Sequence, residues 1–184
     1  PSKYIFYPAQ FWEHKNHARL IEAINLLKDE DVIVHLVLSG SFEDNYRKNE
    51  FNKLNELIRK YALEDQVTYV GYVKDEQMPY LYKHARALIM PTCFGPTNIP
   101  PLEAFVMGCP VATSNIYGIP DQLKEGAIYF DPTSVSEIAA CIQSLWHDDV
   151  LCQKLIQKGF ERSREWGKDQ FKNRLLEIVD ELIE

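Results

Sequence analysis

The chain has 184 residues, 46% hydrophobic and 26% charged, which fits one globular domain able to bury a substantial core. A formal net charge of −7 argues against a nucleic-acid partner and against a basic, membrane-facing surface, so any anionic ligand must be held by local cations and helix N-termini. Cys93, Cys109, Cys141 and Cys152 fall in no C-x-x-C or zinc spacing and read as free thiols of a reducing cytosol, and no apolar run approaches membrane-span length. The chain opens on a strand with no starting methionine, as an excised domain would.

Tyr4 to Tyr7 reads as the first strand, stopped by Pro8, and Ala9 to Lys15 as a loop. A helix is predicted from Asn16 to Lys28, with Leu20, Ile21, Ile24 and Leu27 on one face. Val32 to Leu38 is the second strand, ended by Ser39-Gly40-Ser41. Glu43 to Tyr61 is a long polar helix with Phe51, Leu54, Leu57, Ile58 and Tyr61 inward. Val67 to Val70 is the third strand, closed by Gly71. Asp75 to His84 is a short helix in spite of Pro79, and Ala87 to Met90 is the continuous apolar run of a buried parallel strand. Thr92 to Ile99 is an irregular loop. Pro100 and Pro101 fit only at a helix start, where their missing N–H groups cost nothing. Leu102, Phe105 and Val106 form the buried stripe of that helix, Glu103 falls in its first turn, Gly108 stops it, and Pro110 to Thr113 begins the next strand. Gly118 to Asp121 opens a short turn or helix, and Ala127 to Phe130 is the last strand. Ser134 and Glu137 form a capping box for a helix reaching Trp146. Two helices follow, Asp149 to Trp166 and Lys168 to Ile183, separated by Gly167, with Phe171, Leu175, Ile178 and Leu182 lining the last.

Strands alternating with helices predict an α/β fold: a Rossmann-like parallel sheet with helices on both faces, plus C-terminal helices. Ligands of such sheets bind at the carboxyl edge, where the stretch from Met90 to Ser114 places a loop and a helix N-terminus. Free N–H groups there favour a phosphate. The Glu103 carboxylate, unable to welcome a phosphate, can accept hydrogen bonds from the sugar hydroxyls next to one.

Pro100-Pro101-Leu102-Glu103-Ala104, followed by Gly108-Cys109-Pro110-Val111-Ala112-Thr113-Ser114, resembles the donor-binding signature of retaining family 4 glycosyltransferases, the glycosyl transferases group 1 domain, which have the GT-B fold. The resemblance covers nearly the whole chain. It implies that residues 1–184 are the C-terminal nucleotide-sugar-binding half of such an enzyme and that the N-terminal acceptor domain is absent. It further implies sugar transfer with retention from a UDP- or GDP-linked donor to an acceptor glycan or lipid-linked sugar, in polysaccharide or glycoconjugate synthesis. No metal and no cofactor beyond the donor are expected. The full-length protein would be cytoplasmic or peripheral at the membrane, and this half alone would bind nucleotide without turnover.

Carried onto this sequence, Lys15 matches the lysine that contacts the donor diphosphate, and Glu103 the glutamate that binds the ribose. Gln10 stands where the family keeps an arginine, a loss on the order of 1 kcal/mol. Gly40 matches a donor-facing glycine turn, or else a mere tight turn. Tyr72 and Val73 are candidates for holding the base, though Tyr72 also reads as a partly buried aromatic. The family signature is two glutamates separated by seven residues, and Gly95 occupies the first position. Thr97, Asn98 and Ile99 then become the loop residues nearest the diphosphate and sugar. His14 and His17 lack a third ligand at metal spacing and read as surface or capping groups. Asp29-Glu30-Asp31 spells D-x-D but sits between a helix end and a strand start, as a solvated turn. In GT-B enzymes the final helix crosses back to the N-terminal domain; the alternative here is that it packs on its own domain. Two other activities stay open: another GT-B reaction, such as epimerisation of a nucleotide sugar or phosphorolysis, and a non-catalytic nucleotide-binding or assembly module in which Gln10 and Gly95 mark a decayed site.

Overall fold

A computed structural model describes residues 1–95, 98–165 and 168–183. Six parallel strands, β1 (Ile5–Pro8), β2 (Leu36–Ser39), β3 (Val67–Tyr69), β4 (Ala87–Met90), β5 (Val111–Ser114) and β6 (Ala127–Phe130), form one sheet in the order β3-β2-β1-β4-β5-β6. Ile5 pairs with Leu36 on one side and Ala87 on the other. A parallel sheet must be covered on both faces, which is why β1, β2, β4 and β5 are apolar and buried along almost their whole length. The α-helices among the described residues are α1 (His17–Asp29), α2 (Asn45–Lys60), α3 (Met78–His84), α4 (Ile99–Val106), α5 (Ile119–Leu123), α6 (Val135–His147), α7 (Asp149–Glu165) and α8 (Lys168–Ile183). Helix α1 packs on α2 and α6, and α4 packs on α3 and α7. The strand order reverses between β1 and β4. Connections leaving these two strands diverge there and open a crevice at the carboxyl edge.

Several boundaries differ from expectation for local reasons. The second strand begins only at Leu36, because the stretch before it closes α1: Asp31 adopts a φ of 62° and the Val32 N–H donates to the Leu27 carbonyl at 2.9 Å. Helix α3 starts at Met78, which puts Pro79 in its first turn, where its missing N–H is harmless. Helix α4 starts one residue before the proline pair, with Asn98 as its N-cap, so Glu103 lies in the second turn and not the first. The capping box is half made. Ser134 Oγ accepts from the Glu137 N–H at 3.2 Å, but the Glu137 carboxylate accepts from the Asp131 N–H instead.

Trp166, the expected last residue of the helix that begins at Asp149, and Gly167, expected to separate the last two helices, lie outside the described residues. Among the described residues, no side chain of helix α8 is buried against the domain. Phe171, Leu175, Leu176, Ile178, Val179 and Leu182 are all exposed, Leu182 by 81%. All four cysteines are free; burial pushes the Cys109 thiol up to about 12 and Cys141 to about 11, so neither is a reactive thiolate.

Candidate functional site

The loop after β1 is fixed to the ends of neighbouring strands by its own backbone. Residues Glu13–Lys15 form a 3-10 turn that ends at Asn16, whose φ is 60°. The Tyr7 hydroxyl donates to the Lys15 carbonyl at 2.9 Å. The Cys93 N–H and the Thr92 hydroxyl both donate to the His14 carbonyl, at 2.7 and 3.1 Å. Asn16 Nδ2 donates to the carbonyls of Pro91 and Pro132, at 2.9 and 2.8 Å. The loops after β1, β4 and β6 are thus tied at one place, and Lys15 is held without help from a ligand.

A cleft of about 360 Å³ lies between these loops, lined by Gln10, Trp12, His14, Lys15, Phe94, Gly95, Asn98, Ile99 and Pro100. Burial lowers the pKa of Lys15, and the ammonium makes no ion pair among the described residues. It faces Gly95: a Cβ at that position would lie 3.7 Å from Lys15 Nζ and 3.3 Å from Asn98 Oδ1. A half-buried cation beside an absent side chain leaves room and charge for an anion. Helix α4 assists less than a free N-terminus would, because Pro100 and Pro101 remove two of its first-turn N–H groups.

The expected site residues divide between places. Gln10, Lys15, Asn98 and Ile99 share the cleft with Gly95. Gln10 Oε1 accepts from Trp12 Nε1 at 3.0 Å, which leaves its amide N–H groups without a partner among the described residues. Asn98 is buried at φ 43° and donates to Gln122 Oε1 at 3.2 Å. Thr97 lies outside the described residues.

Gly40 does not line the cleft. Its φ is 153°, and an added Cβ would stand 2.2 Å from the Ala9 carbonyl oxygen. Its place is structural: it lets the end of β2 press against the β1 loop. Gly71 accepts the Gly40 N–H at 3.1 Å, but Tyr72, which follows it, is 73% exposed rather than partly buried, and neither Tyr72 nor Val73 lines the cleft.

Glu103 lines a second cleft of about 390 Å³ between α3 and α4, with Asp75, Met78, Tyr82, Leu102 and Met107. Its Oε2 accepts from the buried Tyr82 hydroxyl at 2.7 Å. Burial, then the bond to Glu103, holds that phenol far above its ordinary pKa, so Tyr82 is always the donor. Lys15 and Glu103 therefore sit in separate clefts along the first two turns of α4. Nothing in the sequence marked Tyr82 as the partner of Glu103. It lies 21 residues from Glu103 and reads as one more aromatic in a short helix.

His17 is neither a surface nor a capping group. It is buried between the rings of Tyr7 and Phe11, at centroid distances of 4.9 and 4.8 Å. Burial, with Lys15 nearby, lowers its pKa to about 3. The rings of Tyr7 and Phe11, from β1 and the loop after it, cover this first residue of α1.

The sequence profile of Glycosyl transferases group 1 matches residues 1–162. The chain belongs to the glycosyl transferases group 1 family. It is 31% identical over 165 residues to the O-antigen chain mannosyltransferase B of Escherichia coli, an alignment covering 89% of this chain and 42% of that protein. Among solved structures it is similar to the sucrose-phosphate synthase of Thermosynechococcus elongatus, with a TM-score of 0.85, 22% identity, and coverage of 100% of this chain and 46% of that one. It is also similar to Anabaena Alr3699/HepE in complex with UDP and glucose, with a TM-score of 0.84, 17% identity, and coverage of 98% and 49%. The Rossmann-like sheet is thus that of the GT-B glycosyltransferases. This group 1 chain spans less than half the length of each of these three proteins. Among its described residues, no helix is long and apolar enough to cross a membrane.

Proposed function

We propose that this chain is the C-terminal, donor-binding half of a retaining hexosyltransferase that moves a sugar from a UDP- or GDP-linked donor to an acceptor hydroxyl in polysaccharide or glycoconjugate synthesis. The observation that carries this is Lys15: a half-buried ammonium without a carboxylate partner among the described residues, in a cleft at the point where the strand order reverses. A departing nucleoside diphosphate gains negative charge, and a cation already held in place stabilises that charge without reorganising. Gln10 adds uncharged donors beside it, and Glu103, fixed by Tyr82, accepts from the ribose hydroxyls. Leaving phosphate itself can deprotonate the acceptor, so the role requires no nucleophile from this half. The likeness to a mannosyltransferase and to a UDP-bound structure supports a nucleotide-sugar donor of this kind. Catalysis would need the other half, and the whole enzyme would work in the cytoplasm, at or near a membrane surface, with no cofactor other than its donor.

A thermal-shift screen against UDP, GDP and ADP tests the proposal. A nucleotide present at about 100 times its Kd stabilises by about 2.7 kcal/mol, a rise of several degrees for a domain of this size. No shift with any nucleoside diphosphate would overturn the proposal.

A further inference from the structure

We propose that Trp12, His14, Phe94 and Tyr117 form a stacking platform for a hexopyranose ring of the acceptor glycan, at the mouth of the Lys15 cleft. This rests on the donor-site reading of that cleft and adds a role for this half of the protein in holding the acceptor.

The rings form one continuous series. Trp12 stacks on His14 at 6.4 Å and 17°, His14 meets Phe94 edge-on at 6.0 Å and 82°, and Phe94 meets Tyr117 edge-on at 6.1 Å and 87°. Trp12, His14 and Phe94 line the cleft that holds Lys15, and Tyr117 extends the series outward from it. The outer rings are open to solvent: Trp12 is 37% exposed, Phe94 54% and Tyr117 74%. Neighbouring aromatic rings left in water beside a cleft that holds a cation mark a binding surface rather than a fault of packing.

Tyr117 strengthens the case. Its φ is 49°, a left-handed conformation that bulky side chains rarely adopt. It sits in the connection from β5 to α5, at the carboxyl edge of the sheet. The following turn is anchored by the Ile119 N–H on the Ile116 carbonyl and the Gln122 N–H on the Gly118 carbonyl. The backbone is thus held in an unfavourable shape at the residue that carries the most exposed ring of the series.

The chemistry of the surface selects the occupant. A pyranose ring presents C–H groups on one face, an apolar patch of the size of an aromatic ring, with hydroxyls at its margin. Burial and the neighbouring Lys15 keep the His14 pKa below its ordinary value, so its ring is neutral near pH 7 and the series carries no charge of its own. The Arg47 guanidinium, 5.4 Å from the Trp12 centroid, is paired with Asp44, so the surface has little net charge and suits a sugar better than a second anion. With the donor diphosphate on Lys15 inside the cleft, a sugar on the outer rings lies beside the group being transferred, which is the acceptor's place.

The test is ligand-observed saturation-transfer NMR with α-linked mannotriose and maltotriose, run on the whole chain beside a titration with UDP and GDP. Wild type should bind at least one trisaccharide saturably. Tyr117→Ala should weaken that binding by about fivefold, the worth of one aromatic contact, Tyr117→Phe should retain it, and nucleotide affinity should be unchanged in both. Binding of neither trisaccharide by a protein that binds nucleotide would overturn the platform and leave the donor site standing; failure to bind either class would overturn both. Equal loss of sugar and nucleotide binding in Tyr117→Ala, or no loss of either, would also refute the assignment.

Discussion

The Glu103 carboxylate answers to two partners, one seen and one proposed. Its bond from Tyr82 makes Glu103→Ala a mutation of stability as well as affinity: the buried phenol would lose its acceptor, at a cost of about 1–3 kcal/mol. Glu103→Gln keeps an acceptor for Tyr82 and should unfold close to wild type, so it separates the roles. Wild type is expected to prefer a ribonucleotide over its 2′-deoxy analogue in calorimetry, and Glu103→Gln to lose most of that preference. An unchanged preference would make Glu103 purely a partner of Tyr82. His17 carries a pH signature. Its pKa is about 3 in the fold and about 6.5 when unfolded, so below pH 6.5 the unfolded chain binds a proton that the folded chain does not. Stability therefore falls as pH falls from about 6.5 toward 3, approaching 1.4 kcal/mol per pH unit from this group. Denaturant titrations of His17→Gln across that range should show a shallower slope than wild type; identical slopes would mean that His17 is not buried as a neutral ring.

At the scale of elements, the sequence showed the strands better than their approach to one another. Apolar runs at Ala87–Met90 and Ala127–Phe130 marked β4 and β6 to the residue; for β4 the reason is that a strand buried on both faces admits few polar side chains. The shortened β2 and the earlier start of α4 depended on left-handed residues, Asp31 and Asn98, that periodicity does not reveal. The division of the site into two clefts was likewise illegible, since it depends on Tyr82 of α3 reaching Glu103 of α4. In sequence Gly40 fits either a donor-facing turn or a mere tight turn; in the fold it packs against the Ala9 carbonyl, a contact set by strand register. Gly40→Ala should push the β1 loop away, costing about 1–3 kcal/mol in strain and weakening nucleotide binding although residue 40 does not line the cleft. Chemical denaturation and calorimetry on this variant check both; full stability with full affinity would show that the loop does not need the close approach.

At the scale of the molecule, the sheet and α1 to α7 form the packed body, and α8 stands apart with six apolar side chains in water. The sequence marked its amphipathic stripe correctly, but a stripe does not name its partner, and none lies among the described residues. Removing residues 166–184 should therefore leave Tm within a few degrees of the intact chain and reduce concentration-dependent association in sedimentation. A drop of more than ~10 °C would show that α8 supports the body after all.

The central claim is that a nucleoside diphosphate binds with its phosphates on Lys15. Calorimetry of UDP, GDP, uridine and guanosine on wild type and Lys15→Ala tests it directly. The variant should lose roughly 1–3 kcal/mol of diphosphate affinity, the loss should shrink as salt rises, and nucleoside affinity should stay unchanged. Equal weakening of nucleoside and diphosphate, or no weakening of either, would contradict the placement of the donor in this cleft.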